Sequence, residues 1–212
     1  MKYDVVIVGG GSAGCVLANR LTEDSERSVL LLEAGPDYAK FDELPIDLKD
    51  GYNVWRSAYG PHSWAYQAYG TPQQDGTIEI PRGKAIGGSS SINGQVLFRG
   101  VPVDYDNWAS WGNDEWAFTK VSPYFRKLEN DLDFQGDDFH GSTGPIPVRR
   151  FKRAELLPTS AAFYDACVSM GFPEDPDQNH PDSDGIAHRP LNNIDGVRMS
   201  TALTYLNSAR HR

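Results

Sequence analysis

The sequence lacks the features that mark several large classes of protein. It has only two cysteines, Cys15 and Cys167, which form neither a disulfide framework nor a metal-ligand spacing, and we expect both to be packing residues in helices. The apolar run at residues 5–8 is too short for a signal-peptide core or a membrane span. We therefore expect a cytoplasmic protein without a transmembrane segment, either free or peripheral to the inner membrane.

Positive charge is also scarce, with 20 Lys and Arg residues against 29 Asp and Glu residues and a formal net charge of -9. No nucleic-acid partner is therefore expected. The one basic cluster is interpreted as a solvated loop, with an anion site as the alternative, and consists of Arg149, Arg150, Lys152 and Arg153. The sequence also has no internal repeat or low-complexity tract, and its hydrophobic content of 39% is ordinary for a soluble globular protein.

The first 33 residues predict a βαβ unit. Residues 3–8 and 28–33 form apolar runs, as expected of strands buried on both faces of a parallel sheet. Between them, apolar side chains recur at helical spacing over residues 12–22. Such a unit should have a right-handed crossover, and it predicts an α/β protein with a parallel sheet and a Rossmann-like fold.

The rest of the chain is less regular. Residues 34–80 carry scattered Pro, Gly, Tyr and Trp and predict a long, surface-wrapping segment. Helices are predicted over residues 121–130, with Pro123 in the first turn, and over residues 158–170 and 199–208. Residues 173–190 are rich in Pro, Asp, Asn and Gly and predict an extended loop.

The glycines between the first strand and the first helix follow the pattern G-x-G-x-x-G. Gly9 permits the tight turn, Gly11 lets the backbone approach a pyrophosphate, and Gly14 allows the helix to pack closely on the strand. The amides of the first helical turn would then hold the phosphates. A glycine-rich turn without a ligand is the alternative interpretation.

Glu33 ends the second strand, where its carboxylate can accept hydrogen bonds from both adenosine ribose hydroxyls. The same carboxylate would repel a 2′-phosphate, which disfavours NADP. These residues alone do not distinguish FAD from NAD.

A second glycine-rich segment covers residues 81–94 and combines small residues with three serine hydroxyls and the amide of Asn93. Such a segment can form an anion-binding nest, and a flexible linker is the alternative. Ile86, Ile92 and the apolar residues 96–98 indicate that the segment is partly buried, which a solvated linker would not require.

At this point the sequence resembles a known family. Residues 83–93, followed by Arg99-Gly100 and residues 104–106, are similar to the first signature of the glucose-methanol-choline (GMC) oxidoreductases. Residues 4–35, Trp64, the turn at residues 139–141 and the helix at residues 198–206 also resemble this family. The resemblance covers essentially the whole chain and is closest to bacterial choline- or alcohol-dehydrogenase-like members.

The resemblance implies FAD as the cofactor, with the pyrophosphate near the second glycine segment and the isoalloxazine near residues 93–96. The implied cofactor-binding residues are Gly9, Gly11, Ser12, Ala13, Gly14, Glu33, Ala34, Trp64, Arg82, Gly87, Gly88, Ser89, Asn93, Gly94 and Val96. For Trp64, an aromatic core position is the alternative to stacking near the cofactor.

Two positions depart from the family's pattern. Leu97 stands where an aromatic residue or alanine is usual, so the substrate-side wall of the flavin is expected to differ in shape. Ile92 stands where some choline-oxidising relatives carry a histidine bonded to the flavin, so the FAD is expected to be non-covalent.

The resemblance also implies oxidation of an alcohol to an aldehyde or ketone by hydride transfer to flavin N5, with a quinone, another carrier or oxygen as electron acceptor. Residues 1–150 are expected to be the N-terminal portion of an FAD-binding domain, and residues 151–212 the start of a substrate-binding domain. The catalytic His pair of the family is expected beyond Arg212, so no residue of this chain is predicted to be catalytic and none to bind a metal.

None of the five histidines matches a catalytic motif. For Arg99, a structural ion pair is the favoured interpretation, and a position near the active site is the alternative. Two other functions remain open, namely a stand-alone dinucleotide-binding module without catalysis and an NAD-dependent dehydrogenase.

Overall fold

A computed structural model describes residues 2–212, which form two compact units. The first unit comprises the described residues up to Gln95 together with Asn193–Arg212, and the second comprises Val96–Asn192. The domain boundary expected after residue 150 therefore falls inside the second unit. Which unit carries which role stays a prediction.

The chain begins with the predicted βαβ unit, formed by β1 (Val5–Val8), α1 (Ser12–Leu21) and β2 (Val29–Leu32). The two strands are parallel, with Val5 opposite Val29 and Val8 opposite Leu32. α1 packs its buried Cys15 and Ala18 against Ile7 of β1. The predicted elements are confirmed, with slightly narrower bounds for each.

Burial of β1 differs from the expectation. Ile7 is buried, whereas Val6 is 53% exposed and Val8 is 84% exposed. The expectation of a strand buried on both faces is therefore wrong for the described residues, because α1 covers one face of the strand pair and β2 is the only hydrogen-bonded neighbour of β1.

The segment over residues 34–80 contains only short elements, as its composition predicts. These are a 3-10 turn at Phe41–Glu43, α2 (Ile46–Lys49), α3 (Val54–Ala58), β3 (Tyr66–Ala68) and β4 (Ile78–Ile80). β3 and β4 form an antiparallel pair. The second glycine segment follows and includes a short 3-10 turn at Gly88–Ser91.

The second unit contains three α-helices and a small sheet. The helices are α4 (Pro102–Ser110), α5 (Phe118–Leu128) and α6 (Pro158–Ser169). The strands are β5 (Glu129–Asp131), β6 (Ile146–Arg150) and β7 (Pro190–Leu191), with β6 in the centre, parallel to β5 and antiparallel to β7. Because Arg150 lies in this central strand, residues 150 and 151 do not form a boundary between units.

Two helix predictions fall in this unit. α6 ends one residue before the predicted end, at Ser169. α5 begins three residues earlier than expected, and the Asp106 carboxylate accepts a hydrogen bond of 3.0 Å from the Phe118 amide at its start. Pro123 therefore lies inside the helix rather than in its first turn, and residues 129 and 130 are strand rather than helix.

The chain then returns to the first unit through a short hairpin of β8 (Asn193–Ile194) and β9 (Val197–Arg198), followed by α7 (Thr201–Thr204). A 3-10 turn at Leu206–Ala209 takes the place of the second half of the single helix predicted over residues 199–208. The Asn19 side chain of α1 donates a hydrogen bond of 2.8 Å to the Tyr205 carbonyl, which ties this segment to the βαβ unit.

Within residues 2–212, no helix combines the length and the apolar character needed to cross a membrane.

Candidate functional site

In the first glycine loop, between β1 and α1, glycines allow main-chain atoms to approach each other closely. Gly9 has a φ of +97°, and a Cβ on Gly14 would lie 1.9 Å from the Gly9 carbonyl oxygen. The Cys15 amide donates to the Gly11 carbonyl at 3.0 Å, which starts the hydrogen bonding of α1, and Gly11 provides no side-chain cap. The amides of the first turn, at the exposed residues Ser12 and Ala13, are therefore available to an anion.

The second glycine segment packs directly on the first. The Gly87 amide donates a hydrogen bond of 2.7 Å to the Gly10 carbonyl. A Cβ on Gly88 would lie 2.6 Å from the Gly11 Cα, and Gly88 has a φ of +51°. Two stretches of chain about 75 residues apart thus meet through main-chain atoms, which leaves a wall without side chains.

An open cleft of about 530 Å³ lies at this junction. It brings together nine of the predicted cofactor residues, Gly9, Gly11, Ser12, Glu33, Ala34, Trp64, Arg82, Gly88 and Ser89. Four further lining residues were not predicted, namely Val8, Leu32, Tyr66 and Gly83. Tyr66 lies two residues after Trp64, so the period-two alternation of an extended segment could have found it.

The other predicted residues do not line the cleft. Ala13 and Gly14 lie in the first turn of α1, and the Gly87 amide is hydrogen-bonded to the Gly10 carbonyl. Asn93 and Gly94 are exposed on the loop that follows the 3-10 turn, and Val96 belongs to the second unit. A cofactor role for these residues stays a prediction.

The Glu33 carboxylate is held at the mouth of the cleft by main-chain amides. Its Oε2 accepts a hydrogen bond of 2.8 Å from the Gly10 amide, and its Oε1 accepts one of 2.9 Å from the Gly35 amide. An ionised carboxylate has about four acceptor sites, so both oxygens can still accept from a ligand. The side chain is thus oriented for hydroxyl donors and remains available to them.

Aromatic side chains form another wall of the cleft. The Trp64 and Tyr66 rings are stacked, with centroids 5.8 Å apart and an interplanar angle of 4°, and the Lys84 ammonium lies 4.4 Å from the centre of the Trp64 ring. The Trp64 amide is held by the Arg82 carbonyl at 2.8 Å. Because Trp64 is 39% exposed and lines the cleft, its interpretation as a core residue is wrong.

The second unit contains a buried network of charged side chains. Its centre is His140, whose Nε2 lies 2.7 Å from an Asp177 oxygen and whose Nδ1 lies 3.0 Å from a Glu129 oxygen. Although burial opposes the charge, the hydrogen bonds to Asp131, Asp177 and Glu129 raise the pKa of His140 to about 11. An imidazole that is protonated at neutral pH has no lone pair with which to accept a proton, so this arrangement does not favour His140 as a general base.

Two arginines complete this network and settle two expectations. Arg99 pairs with Glu129, so the favoured structural ion pair is the observed arrangement. Arg150 donates to Asp131 at 2.9 Å and to Asp177 at 2.7 Å and is only 4% exposed. The interpretation of the basic cluster as a solvated loop is therefore wrong for Arg149 and Arg150, which lie in β6, whereas Lys152 and Arg153 follow the strand and are exposed.

Glu129, Asp131 and His140 place one potential metal-ligand atom each within 4.8 Å of one another. The negative charges of the two carboxylates are already compensated, because Arg99 donates to Glu129 and Arg150 donates to Asp131. The set is a buried ion-pair network.

The other histidines lie elsewhere in the fold. His62 is buried between Asp47, at 2.7 Å, and the Tyr38 hydroxyl, at 2.8 Å. His180 and His188 lie against aromatic rings in the second unit, and His211 is exposed. Among residues 2–212, no histidine lines the glycine cleft.

A βαβ unit whose glycine turn faces a carboxylate at the end of the second strand defines a dinucleotide-binding protein. Comparison with known families gives the finer class. The family model described as GMC oxidoreductase matches residues 3–212, so the chain belongs to the GMC oxidoreductase family.

Two curated relatives illustrate the match. An uncharacterised GMC-type oxidoreductase of Rhodococcus erythropolis is 43% identical over 209 residues, which cover 99% of this chain and 41% of the relative. The oxygen-dependent choline dehydrogenase of Vibrio vulnificus is 40% identical over 212 residues, which cover 99% of this chain and 37% of the relative. The chain thus spans about 40% of the length of these relatives.

Solved structures show the same fold. Pyridoxine 4-oxidase from Mesorbium loti matches with a TM-score of 0.89 at 32% identity, over 100% of this chain and 41% of that one. Formate oxidase of Aspergillus oryzae matches with a TM-score of 0.82 at 28% identity, over 98% of this chain and 37% of that one. The predicted family resemblance and the α/β, Rossmann-like fold class are confirmed.

Proposed function

We propose that this chain is the FAD-binding part of an enzyme that oxidises an alcohol CH-OH group to an aldehyde or ketone. The observation that supports this proposal most is the junction of the two glycine segments. There, Gly11 and Gly88 meet without side chains at the N-terminus of α1. A pyrophosphate needs such a surface, because its oxygens must come within hydrogen-bonding distance of main-chain amides.

The residues of the cleft fit an adenine dinucleotide. The first-turn amides at Ser12 and Ala13, with the positive end of the α1 dipole, would hold the phosphates together with Gly88 and Ser89. Glu33 would accept hydrogen bonds from the ribose hydroxyls, and its charge disfavours a 2′-phosphate. The formate oxidase relative is described in connection with modification of its FAD, which supports FAD over NAD.

A non-covalent flavin is proposed because Ile92 stands where the family resemblance places a flavin-bonding histidine in some relatives. Ile92 is 2% exposed and packs with Leu48 and Ala85 in the core of the first unit. A hydrocarbon side chain offers no atom for a bond to the flavin. Asn93, Gly94 and Val96 are proposed to line the isoalloxazine.

When bound, FAD supplies the hydride acceptor at N5 for the hydrogen on the alcohol carbon. The residues of this chain bind and orient the cofactor. The hydroxyl proton requires a base, and His140 does not fit this role because its buried carboxylate partners raise its pKa to about 11. We therefore propose that the base belongs to sequence beyond Arg212, as the family's C-terminal histidine pair does.

The proposed substrate is a small alcohol, and the proposed electron acceptor is a quinone, another carrier or oxygen. Relatives named for choline and for pyridoxine both support an alcohol as substrate. A cytoplasmic location, free or peripheral to the inner membrane, is proposed from the sequence composition alone.

The test uses the protein as encoded, including any sequence that its reading frame adds after Arg212. The purified protein is desalted, its visible spectrum is recorded, and the cofactor released by acid is identified by mass spectrometry. FAD in the acid supernatant is expected, followed by anaerobic bleaching with one member of an alcohol panel that includes choline and pyridoxine. NAD without flavin colour would favour the NAD-dependent dehydrogenase, and bound FAD that no alcohol reduces would favour the binding module.

A substitution at Gly11 tests whether the flavin binds in the cleft. Gly11→Ala leaves the fold intact, since the new Cβ would lie 3.8 Å from the Gly88 Cα, an ordinary contact. The added methyl group faces the proposed pyrophosphate position, so FAD affinity should fall at least about tenfold. Unchanged affinity in a folded variant would place the cofactor elsewhere.

A further inference from the structure

The loop at residues 93–95, at the end of the second glycine segment, contains an unfavourable backbone conformation. Gln95 has a φ of +64°, which is in the left-handed region that favours glycine. Such a conformation costs a non-glycine residue about 1 kcal/mol or more, so the surrounding structure must hold it. Gln95 is 3% exposed, whereas Asn93 and Gly94 are exposed, so the loop is anchored through Gln95 and presents its other two residues outwards.

The β8–β9 hairpin supplies one anchor. Asn193 is 1% exposed, and its side-chain amide donates a hydrogen bond of 2.8 Å to the Gln95 side-chain oxygen. The Gln95 side chain in turn donates to the Gly51 carbonyl at 2.9 Å. The Gln95 amide donates to the Asn93 side-chain oxygen at 2.9 Å, which orients the Asn93 side chain.

Arg198, at the end of β9, supplies the second anchor and acts on Asn93 directly. Its Nε donates to the Asn93 carbonyl at 3.2 Å, and its Nη1 donates to the carbonyls of Asp47 and Leu48 at 3.3 and 3.2 Å. Its Nη2 donates to the Ser57 hydroxyl at 2.7 Å. Arg198 is fully buried, and its planar fork thus joins three separate segments of the first unit.

We infer that Arg198 is a positioning residue for the flavin, because it fixes the main chain of Asn93 and thereby places Asn93 and Gly94 against the isoalloxazine. The inference rests on the proposed function. It adds a residue about 100 positions later in the chain than the loop it controls. The Asn93 carbonyl is turned inwards to Arg198, and a Cβ built on Gly94 meets no atom within 4 Å, so the outer side of the loop is open to a ring.

The experiment compares Arg198→Lys and Arg198→Met with the wild type, all as the protein is encoded. Lysine keeps the charge but cannot reach the Asn93 carbonyl and the Ser57 hydroxyl with one ammonium group. FAD affinity should fall about tenfold in Arg198→Lys and further in Arg198→Met, as expected for the loss of charge-assisted hydrogen bonds. The visible circular dichroism of the remaining bound flavin should also change, which a purely structural role would not cause.

Arg56→Lys is the matched control, because the Arg56 side chain is 50% exposed and makes one ion pair, of 3.5 Å, to Asp50. It should retain wild-type affinity and spectrum. If the Arg198 variants do not fold, Ser57→Ala removes the acceptor of Nη2, together with a local hydrogen bond from the Ser57 hydroxyl to the Val54 carbonyl, and should weaken FAD binding about threefold with the same spectral change.

The measurements distinguish a failure of the proposed function from a failure of the inference about Arg198. A wild-type protein that binds no flavin overturns both the proposed function and the inference. A wild-type protein that binds FAD, with folded Arg198 or Ser57 variants of unchanged affinity and unchanged circular dichroism, overturns the inference alone.

Discussion

The buried charge network predicts an unusual dependence of stability on pH. Folding raises the pKa of His140 from its ordinary value of 6.5 to about 11, so the native state holds a proton that the unfolded chain releases in between. The stabilisation from this proton is therefore complete below about pH 6.5 and is lost as the pH rises towards 11. The charge of His140 should thus favour the folded state at neutral pH and weaken it in alkali.

The magnitude follows from the size of the shift. Between the two pKa values, each pH unit removes about 1.4 kcal/mol from the free energy of unfolding, and the whole shift corresponds to a ceiling on the order of 6 kcal/mol. His140→Gln keeps a hydrogen-bonding side chain of similar reach but not the charge. Its buried carboxylates lose one cationic partner, so the variant should be less stable at pH 7 by about 3–5 kcal/mol.

The assay is chemical unfolding of both proteins over a range of about pH 6 to 10, followed by tryptophan fluorescence. Tyrosines, lysines and cysteines titrate in both proteins, so the difference between the two stability curves isolates His140. His188→Gln is the control, since His188 lies against the Tyr164 ring and outside the network. The difference should shrink by about 1.4 kcal/mol per pH unit above pH 7. Parallel curves for the wild type and His140→Gln would refute a protonated His140.

Two further predictions concern the glycine junction and its neighbourhood. Gly88→Ala should destabilise the first unit by at least about 1–3 kcal/mol and abolish FAD binding, because its Cβ would lie 2.6 Å from the Gly11 Cα at a φ of +51°. A thermal unfolding curve and a flavin titration check this prediction. A variant that unfolds at the wild-type temperature would contradict the close approach of Gly88 to the Gly11 main chain. Burial raises the pKa of the Cys15 thiol, so a thiol reagent should modify Cys167 in the native protein and Cys15 only on unfolding. Two equally fast reactions, read by mass spectrometry of peptides, would show that Cys15 is accessible.

The parts of the fold that could be predicted from sequence are those set by local pattern. The βαβ unit follows from apolar runs and the glycine spacing, and α6 follows from Pro158 at its start and the Gly171 stop. The cleft residues at the first glycine loop and at Glu33 follow from the same motif. Each of these signals lies within a few residues of the element it specifies.

The parts that could not be predicted depend on partners distant in sequence. The start of α5 is bonded by Asp106, twelve residues earlier, and the Glu129 strand is fixed by its pairing with β6 and by Arg99 and His140. Arg150 reads as a solvated residue until its buried carboxylate partners are known. Charged side chains in the interior are a tertiary effect, because only the complete network offsets their desolvation.

The return of the chain to the first unit has a consequence for its synthesis. The Asn19 side chain bonds to Tyr205, which is 186 positions later, and the hairpin that carries Arg198 is made only after the whole second unit. The second unit is continuous in sequence, so its folding does not require residues 193–212. The βαβ unit, although it emerges first, must wait with part of its apolar surface uncovered, and its completion is expected to be the slow, chaperone-sensitive step of folding in the cell.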